Sequence, residues 1–439
     1  MHVIFGFDPL VTASVILVVT YILVITDRFD RSLLALLGAG AMIFSGVLTQ
    51  EEAIRGIDFN TIALLTGMML LVSVARRSGV FEFLAVSSAQ LVRGSPAGVL
   101  CLLSLVTAIV SALLDNVTTV LLIAPVTLSI TKWLRVPAFP FLFAEIMASN
   151  IGGTATLIGD PPNIMIGSAT GLSFNAFILN LAPVIVVVMA VQLLLTHLIW
   201  GRSTQATQAD RAAVMALNAR AAITDGRLLR LALAVLAATL LAFVFAPLLH
   251  LEPGAIAMIA AASLMLLDNL VHHRSEQTGK ISAIYGDVDW ITIFFFVGLF
   301  IVVHGFEQTG AIADLAQALF VLSHGNLAIT ASAILWGAAI LSAIVDNIPF
   351  VAAMIPLIKV LAPSFGGDEA LLPLWWALSL GACLGGNGTL IGASANLTVA
   401  GIAQRNGVRF DFLTYAKYAA PLTLLSVAIA QLYLWLRYF

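Results

Sequence analysis

The chain has 439 residues, 61% of them hydrophobic and only 10% charged, with a formal net charge of −3. An average soluble domain is about 25% charged, so this composition excludes a water-soluble enzyme and predicts an integral membrane protein, with the lipid bilayer as its partner. There is no basic block or stripe, which excludes nucleic acid as a partner.

In chain order, the first apolar runs are 10–26, 33–48 and 59–75, each near the ~20 residues that cross a bilayer. The start lacks the basic residues and cleavage site of a secretory signal, so the first run is expected to stay as a membrane helix. A connecting segment, 76–96, leads to an apolar block at 97–131 with Asp115-Asn116 near its centre. A segment at 138–172, broken by Gly152-Gly153 and Pro161-Pro162, and a long span at 176–200 follow. Residues 202–228 gather Arg202, Arg211, Arg220 and Arg227 among Gln, Thr and Ala. The second half runs through spans at 229–248, 254–271 and 289–306, a connection at 307–326 and an apolar block at 327–361. That block centres on Asp346-Asn347, and a broken segment at 372–404 and a last span at 412–436 close the order.

The two halves repeat each other. Residues 152–163, GGTATLIGDPPN, match 385–396, GGNGTLIGASAN, at seven of twelve positions. SALLDNVTTVLLIAP (111–125) aligns with SAIVDNIPFVAAMIP (342–356), and Gly67 and Gly79 align with Gly298 and Gly310. Matches that include Asp, Asn, Gly and Pro are not a by-product of apolar composition. The expected division is an N-terminal repeat 1–201, a linker 202–228 and a C-terminal repeat 229–439.

Lys and Arg collect on the cytoplasmic side of membrane proteins. The linker, 27–32, 76–96, 132–135, 272–287 and 405–409 carry them, whereas 248–253 and 307–326 carry none. One side can hold all the basic segments only if 97–131 and 327–361 each enter and leave on the same face. At 1.5 Å per residue such blocks suit two half-height helices with a polar tip. The predicted fold is therefore an all-α polytopic membrane protein of two inverted five-helix repeats. Each has a re-entrant helical hairpin and a broken transmembrane helix, an arrangement secondary transporters use. The linker is expected in the cytoplasm of a plasma-membrane protein, with both termini outside.

A helix that stops within hydrocarbon strands backbone N–H and C=O groups, and survives only buried in protein or lining a wet cavity. The tip at 115–119 is therefore expected to meet the break at 152–163, and the tip at 346–350 the break at 385–396. Helix N-termini there favour anions, while carbonyls and Asn, Thr and Asp oxygens suit Na⁺. Asp115 and Asp346 are midplane ionisable groups, open to proton carriage, cation coordination or capping. Asp160 becomes Ala393 in the second half, so its part is asymmetric. Asn116 and Asn347 are capping candidates. Glu145 is a secondary candidate or a partner for an arginine, and His304 and Glu307 end a span near the interface. Cys101 and Cys383 read as apolar packing residues rather than a disulfide or metal pair. No phosphate-binding Gly-Lys-Ser/Thr loop is present, so the chain itself does not hydrolyse ATP.

DNVTTVLLIAPVT, NIGGTATLIGDPPNIMIGS, DNIPFVAAMIP and GGNGTLIGASANLTVAGIA resemble the ion transporter superfamily. Within it they are similar to the group of arsenite permeases (ArsB), NhaD-type Na⁺/H⁺ antiporters and the melanosomal P protein. The resemblance covers essentially the whole chain. It implies an elevator-type carrier with substrate at Asn116, Thr118, Gly152, Gly153, Thr154, Asn163, Asn347, Gly385, Gly386, Asn387, Thr389 and Asn396. Ion coupling would fall to Asp115, Asp346 and Asp160, with H⁺ or Na⁺ as coupling ion and no other cofactor. The tips depart from the Ser-Asn-Thr of the dicarboxylate branch. Proton-coupled arsenite or antimonite efflux is the expected activity; the alternatives are Na⁺/H⁺ antiport and Na⁺- or H⁺-coupled anion or dicarboxylate transport. A cytoplasmic ATPase and a second copy of the chain are the further partners considered.

Overall fold

Acidic residues start the helices of this protein. Asp8, Asp30, Asp58, Asp115, Asp225, Asp289, Asp346 and Asp411 each stand just before a helix and accept hydrogen bonds from first-turn N–H groups. The first N–H groups of a helix have no partner within it, and an aspartate oxygen supplies one. In so apolar a chain, many of the few acids are spent on this task.

The computed structural model describes residues 3, 6–26, 28–270 and 274–439, the side chains of 274–277 excepted. Residue 271, the expected end of one span, and the side chain of Arg274 lie outside the described residues. Among the described residues there are helices and no strands, and nine helices are long and apolar enough to cross a membrane. In the first half, Pro9–Ile25, Arg31–Phe44 and Phe59–Arg76 precede a hairpin of Pro96–Leu113 and Asn116–Leu134. The broken helix is Phe139–Gly153 and Pro161–Thr170, and Phe174–Trp200 follows. The second half repeats this as Gly226–Leu249, Pro253–Asn269, Trp290–Gln308, the hairpin Leu327–Ile344 and Asn347–Val360, the broken pair Leu372–Gly385 and Ser394–Arg405, and Phe412–Tyr438.

One expectation needs correction. The hairpin arms are not half-height: the first hairpin's have 18 and 19 residues, about 27–29 Å at 1.5 Å per residue. The base of the first hairpin's returning arm meets the polar linker. Its helix Gln208–Met215 packs on Asn116–Leu134, and Arg135 Nε lies 3.4 Å from Asp210. The connections 76–96 and 307–326 are also largely helical, holding Val80–Leu91 and Ala311–Leu322. Each of these helices starts at a repeated glycine in the left-handed region, Gly79 at φ +80° and Gly310 at φ +83°, which explains that repeat.

Helices of opposite halves pair to hold the halves together. Phe59–Arg76 lies along Pro253–Asn269, and Trp290–Gln308 lies along Arg31–Phe44. The repeated Gly67 and Gly298 sit at the two contacts. A Cβ on Gly67 would be 2.6 Å from the Ala257 carbonyl carbon, and one on Gly298 would be 2.5 Å from that of Ala35. Only glycine permits such backbone approach. Around the site, Pro96–Leu113 packs on Phe139–Gly153, and Leu327–Ile344 packs on Leu372–Gly385. The segments Phe139–Gly153 and Leu372–Gly385 are largely apolar and almost wholly buried, as a helix at the centre of a bundle should be.

Gly298→Ala should destabilise the protein by about 1–3 kcal/mol, the usual cost of overpacking. Gly337→Ala, where nothing lies within 4 Å of the added carbon, should be neutral or stabilising. Thermal unfolding of the purified variants in lipid checks the contrast.

Candidate functional site

At each helix break the backbone is held by an asparagine that starts, or nearly starts, the next half-helix. Asn163 Nδ2 donates to the carbonyls of Thr154 (3.1 Å) and Thr156 (2.9 Å). Asn396 Nδ2 donates to those of Gly386 (2.8 Å) and Thr389 (2.8 Å). The threonines of the repeat tie each break to its hairpin: Thr156 Oγ1 donates to the Ala112 carbonyl at 2.6 Å and Thr389 Oγ1 to that of Ala343 at 2.5 Å. Ser111 and Ser342 do the same from the hairpin side, donating to the carbonyls of Ser149 and Ala382 at 2.7 Å each.

The repeated glycines are contact points between backbones. A Cβ on Gly152 would strike the backbone of Ala108, and one on Gly385 would lie 2.5 Å from Cα of Ala339. Gly153 and Gly386 close against Gly159 and Gly392 in the same way. The tips then reach the breaks as expected, with the Asn116 N–H 3.1 Å from the Gly159 carbonyl. Capping belongs to the aspartates rather than to Asn116 and Asn347. Asp115 accepts from the Thr118 N–H at 2.8 Å and Asp346 from the Ile348 N–H at 3.2 Å.

The two junctions do not stay separate. Asn116 Nδ2 donates to Asn150 Oδ1 (2.9 Å), and Asn150 Nδ2 crosses between halves to Asn387 Oδ1 and Asn396 Oδ1, both at 2.9 Å. Ser379 Oγ donates to Asn163 Oδ1 at 2.6 Å, and Cys383 Sγ lies 3.7 Å from the same oxygen. Asn347 Nδ2 points at Asp160 Oδ1 at 3.4 Å. Thr154 donates to the Asn150 carbonyl at 2.6 Å, and Tyr415 OH to the Asn387 carbonyl at 3.1 Å. One polar cluster, buried at the centre, thus contains residues of both tips and both breaks.

Asn150, Ser379, Cys383 and Arg31 are the residues that sequence reasoning missed. Asn150 stands two residues before Gly152-Gly153, but its repeat counterpart is Cys383, so a search for identical pairs passes over both. Cys383 is buried in this cluster as a free thiol, and Cys101 is half-buried and also free. Glu145 is buried and takes its hydrogen bond from the Thr127 hydroxyl, not from an arginine. His304 and Glu307, 3.3 Å apart, line a separate cavity of about 310 Å³ with Arg55, Asp58 and Lys359.

The charges are unevenly arranged. Arg31 Nη1 lies 2.6 Å from Asp346 Oδ2. No ion pair among the described residues reaches Asp115 or Asp160. Both are buried, with relative exposures of 5% and 1%. Asp115 Oδ1, Asn116 Oδ1 and Asp160 Oδ2 have no hydrogen-bond partner among the described residues. Buried acceptors without donors are rare and costly, and intramembrane carboxylates mark ion pathways. A further cavity of about 240 Å³ reaches the cluster's edge past Arg31, Val117, Asp346 and Ser394.

Comparison with known proteins agrees with this architecture. The family model described as citrate transporter, CitMHS, matches residues 21–381. An uncharacterized transporter of Mycobacterium tuberculosis is 45% identical over 434 residues, 98% of this chain and 99% of its own. A 46 kDa membrane protein of Mycobacterium leprae is 42% identical over 433 residues, again 98% and 99% of the two chains. The P protein of Sus scrofa, of the group the motifs resemble, is 32% identical over 503 residues, 96% of this chain and 59% of its own length. The crystal structure of the Alcanivorax borkumensis YdaH transporter, described as having an unusual topology, shares the fold with a TM-score of 0.62. It does so at 13% identity, with 97% of each chain covered.

Asn163→Ala and Asn396→Ala each strip the donor from two buried carbonyls. At about 1–3 kcal/mol for each unsatisfied group, each variant should lose about 2–6 kcal/mol of stability. The measurement is thermal unfolding in lipid, and comparable losses in the two halves are expected.

Proposed function

The chain belongs to the citrate transporter family, CitMHS, and is a secondary transporter; from that premise we propose that it exports arsenite or antimonite in exchange for protons. The observation that carries this reading is the set of buried acceptors without donors at the central cluster, Asp115 Oδ1, Asn116 Oδ1 and Asp160 Oδ2. Arsenite is largely an uncharged trihydroxide at neutral pH, and its three O–H groups are donors. Citrate, the solute of the family's description, would bring carboxylates against carboxylates. The one guanidinium at the cluster's edge is already engaged by Asp346. A proton on either free carboxylate would turn an acceptor into a donor and so change how the solute is held, which is a physical means of coupling.

In this reading the hairpins and broken helices carry the solute as an elevator between the paired helices Phe59–Arg76 with Pro253–Asn269 and Trp290–Gln308 with Arg31–Phe44. Support comes from the glycine contacts at Gly67 and Gly298, which join helix to helix between halves. In the same reading the arginine-rich linker lies in the cytoplasm and both termini outside, which the distribution of Lys and Arg supports. The substrate-contact group is Asn116, Thr118, Thr154, Asn163, Asn347, Asn387, Thr389 and Asn396, with the glycines Gly152, Gly153, Gly385 and Gly386 setting the shape around them.

Na⁺/H⁺ antiport is the second reading, favoured because two of the three free acceptors are carboxylate oxygens, the ligands a hard cation prefers. Proteoliposomes with an internal pH reporter separate the possibilities. Arsenite should drive proton movement, and Asp115→Asn or Asp160→Asn should slow it at least about tenfold, a barrier change of about 1.4 kcal/mol. Proton movement with Na⁺ alone would favour antiport. Citrate-driven flux with arsenite silent would overturn the proposal.

A further inference from the structure

The sequence writes Asp-Asn at both hairpin tips, but the fold treats the two aspartates differently. Arg31 opens the helix Arg31–Phe44, and its Nη1 lies 2.6 Å from Asp346 Oδ2 and 2.6 Å from Ser394 Oγ. Ser394 in turn donates to the same carboxylate oxygen at 2.8 Å. The guanidinium is held in place from behind, by Thr292 Oγ1 at 3.3 Å and by the ring of Phe295, 5.2 Å below its centre. The pair is largely enclosed, with side-chain exposures of 23% and 12%. The other charged groups on this cavity are Asp30 and Asp289, each capping its own helix.

At the first tip none of this is present. Asp160 takes the break position that Ala393 holds in the second half, and Pro161 stands where Ser394 does. Asp115 keeps one oxygen on its cap and the other without a partner, as does Asp160 with its Oδ2. One tip therefore has its cation supplied by the protein itself, and at the other two carboxylates have no ion pair among the described residues.

We propose that the coupling cation binds at Asp115 and Asp160 only, and that Arg31 is the resident cation of the second tip, so that Asp346 takes no coupling ion. The inference rests on the reading of the acidic tips as the place of ion coupling, but not on the identity of the transported solute. A guanidinium whose Nη1 makes two short contacts, to Asp346 and Ser394, and whose Nη2 is braced by Thr292 is a stronger occupant than a hydrated ion that must first lose water. Inverted halves would then run an asymmetric cycle, with one half binding the exchangeable ion and the other neutralised, in the conformation seen here, by a salt bridge between hairpin tip and neighbouring helix.

The test counts cation equivalents bound by purified protein in lipid, using radiolabelled Na⁺ by scintillation proximity and H⁺ by pH electrode. Asp115→Asn should lower the count relative to wild type, and Asp346→Asn should leave it unchanged. Arg31→Gln should add one equivalent, which the double variant Arg31→Gln with Asp346→Asn should remove again. Arg31→Lys, which keeps the charge, should count as wild type and guards against reading misfolding as gain or loss. A wild-type count that falls in Asp346→Asn, or an Arg31→Gln protein that elutes as a folded species and gains nothing, would overturn the inference. Counts as expected alongside no arsenite flux would instead overturn the cargo assigned above and leave this assignment standing.

Discussion

A helix interrupted inside a bilayer must find a partner for every backbone group that the next turn would have bonded, because hydrocarbon offers none. Much of what is distinctive in this chain answers that requirement. Asn163 and Asn396 cross-brace the two breaks, Thr156 and Thr389 fasten them to the hairpins, and Asp115 and Asp346 close the starts of the returning arms. The bonds of Asn163 to Thr156 and of Thr156 to Ala112 recur at Asn396, Thr389 and Ala343, 233 or 231 positions on, and the aspartate caps recur on different N–H groups, those of Thr118 and Ile348.

The same constraint accounts for the glycines. A side-chain donor reaches a backbone carbonyl on a neighbouring segment only if the segments lie very close. At Gly152, Gly385, Gly159 and Gly392 the neighbouring backbone occupies the space a Cβ would need. Polar bracing and glycine contacts are thus two parts of one device. Its product is a closely packed junction between tip and break.

Where the halves differ, the device is released from backbone duty and turned to chemistry. Asp160 replaces Ala393, Asn150 replaces Cys383, and Arg31 pairs with Asp346 while no ion pair among the described residues reaches Asp115. These departures generate the cross-half amide bridge, the free carboxylate oxygens and the single fixed ion pair. Symmetric positions hold the fold up; asymmetric ones give the cluster its distinct acidic and neutralised ends.

The apolar runs, the repeat and the Lys and Arg distribution were enough to read the helix order, the inverted halves and the meeting of tips with breaks. Those features rest on local chemistry: a glycine pair or an aspartate cap acts on the few residues beside it, wherever they are in the chain. The amide bridge from Asn150 to Asn387 and Asn396, the contact of Arg31 with Asp346 and the fusion of two junctions into one cluster were decided only by the tertiary structure. Those partners lie 237, 246 and 315 residues apart, and nothing in the composition around them encodes the distance. Their contact depends on how helices of opposite halves pack at Gly67 and Gly298, which sequence marks as repeated glycines without saying what they face.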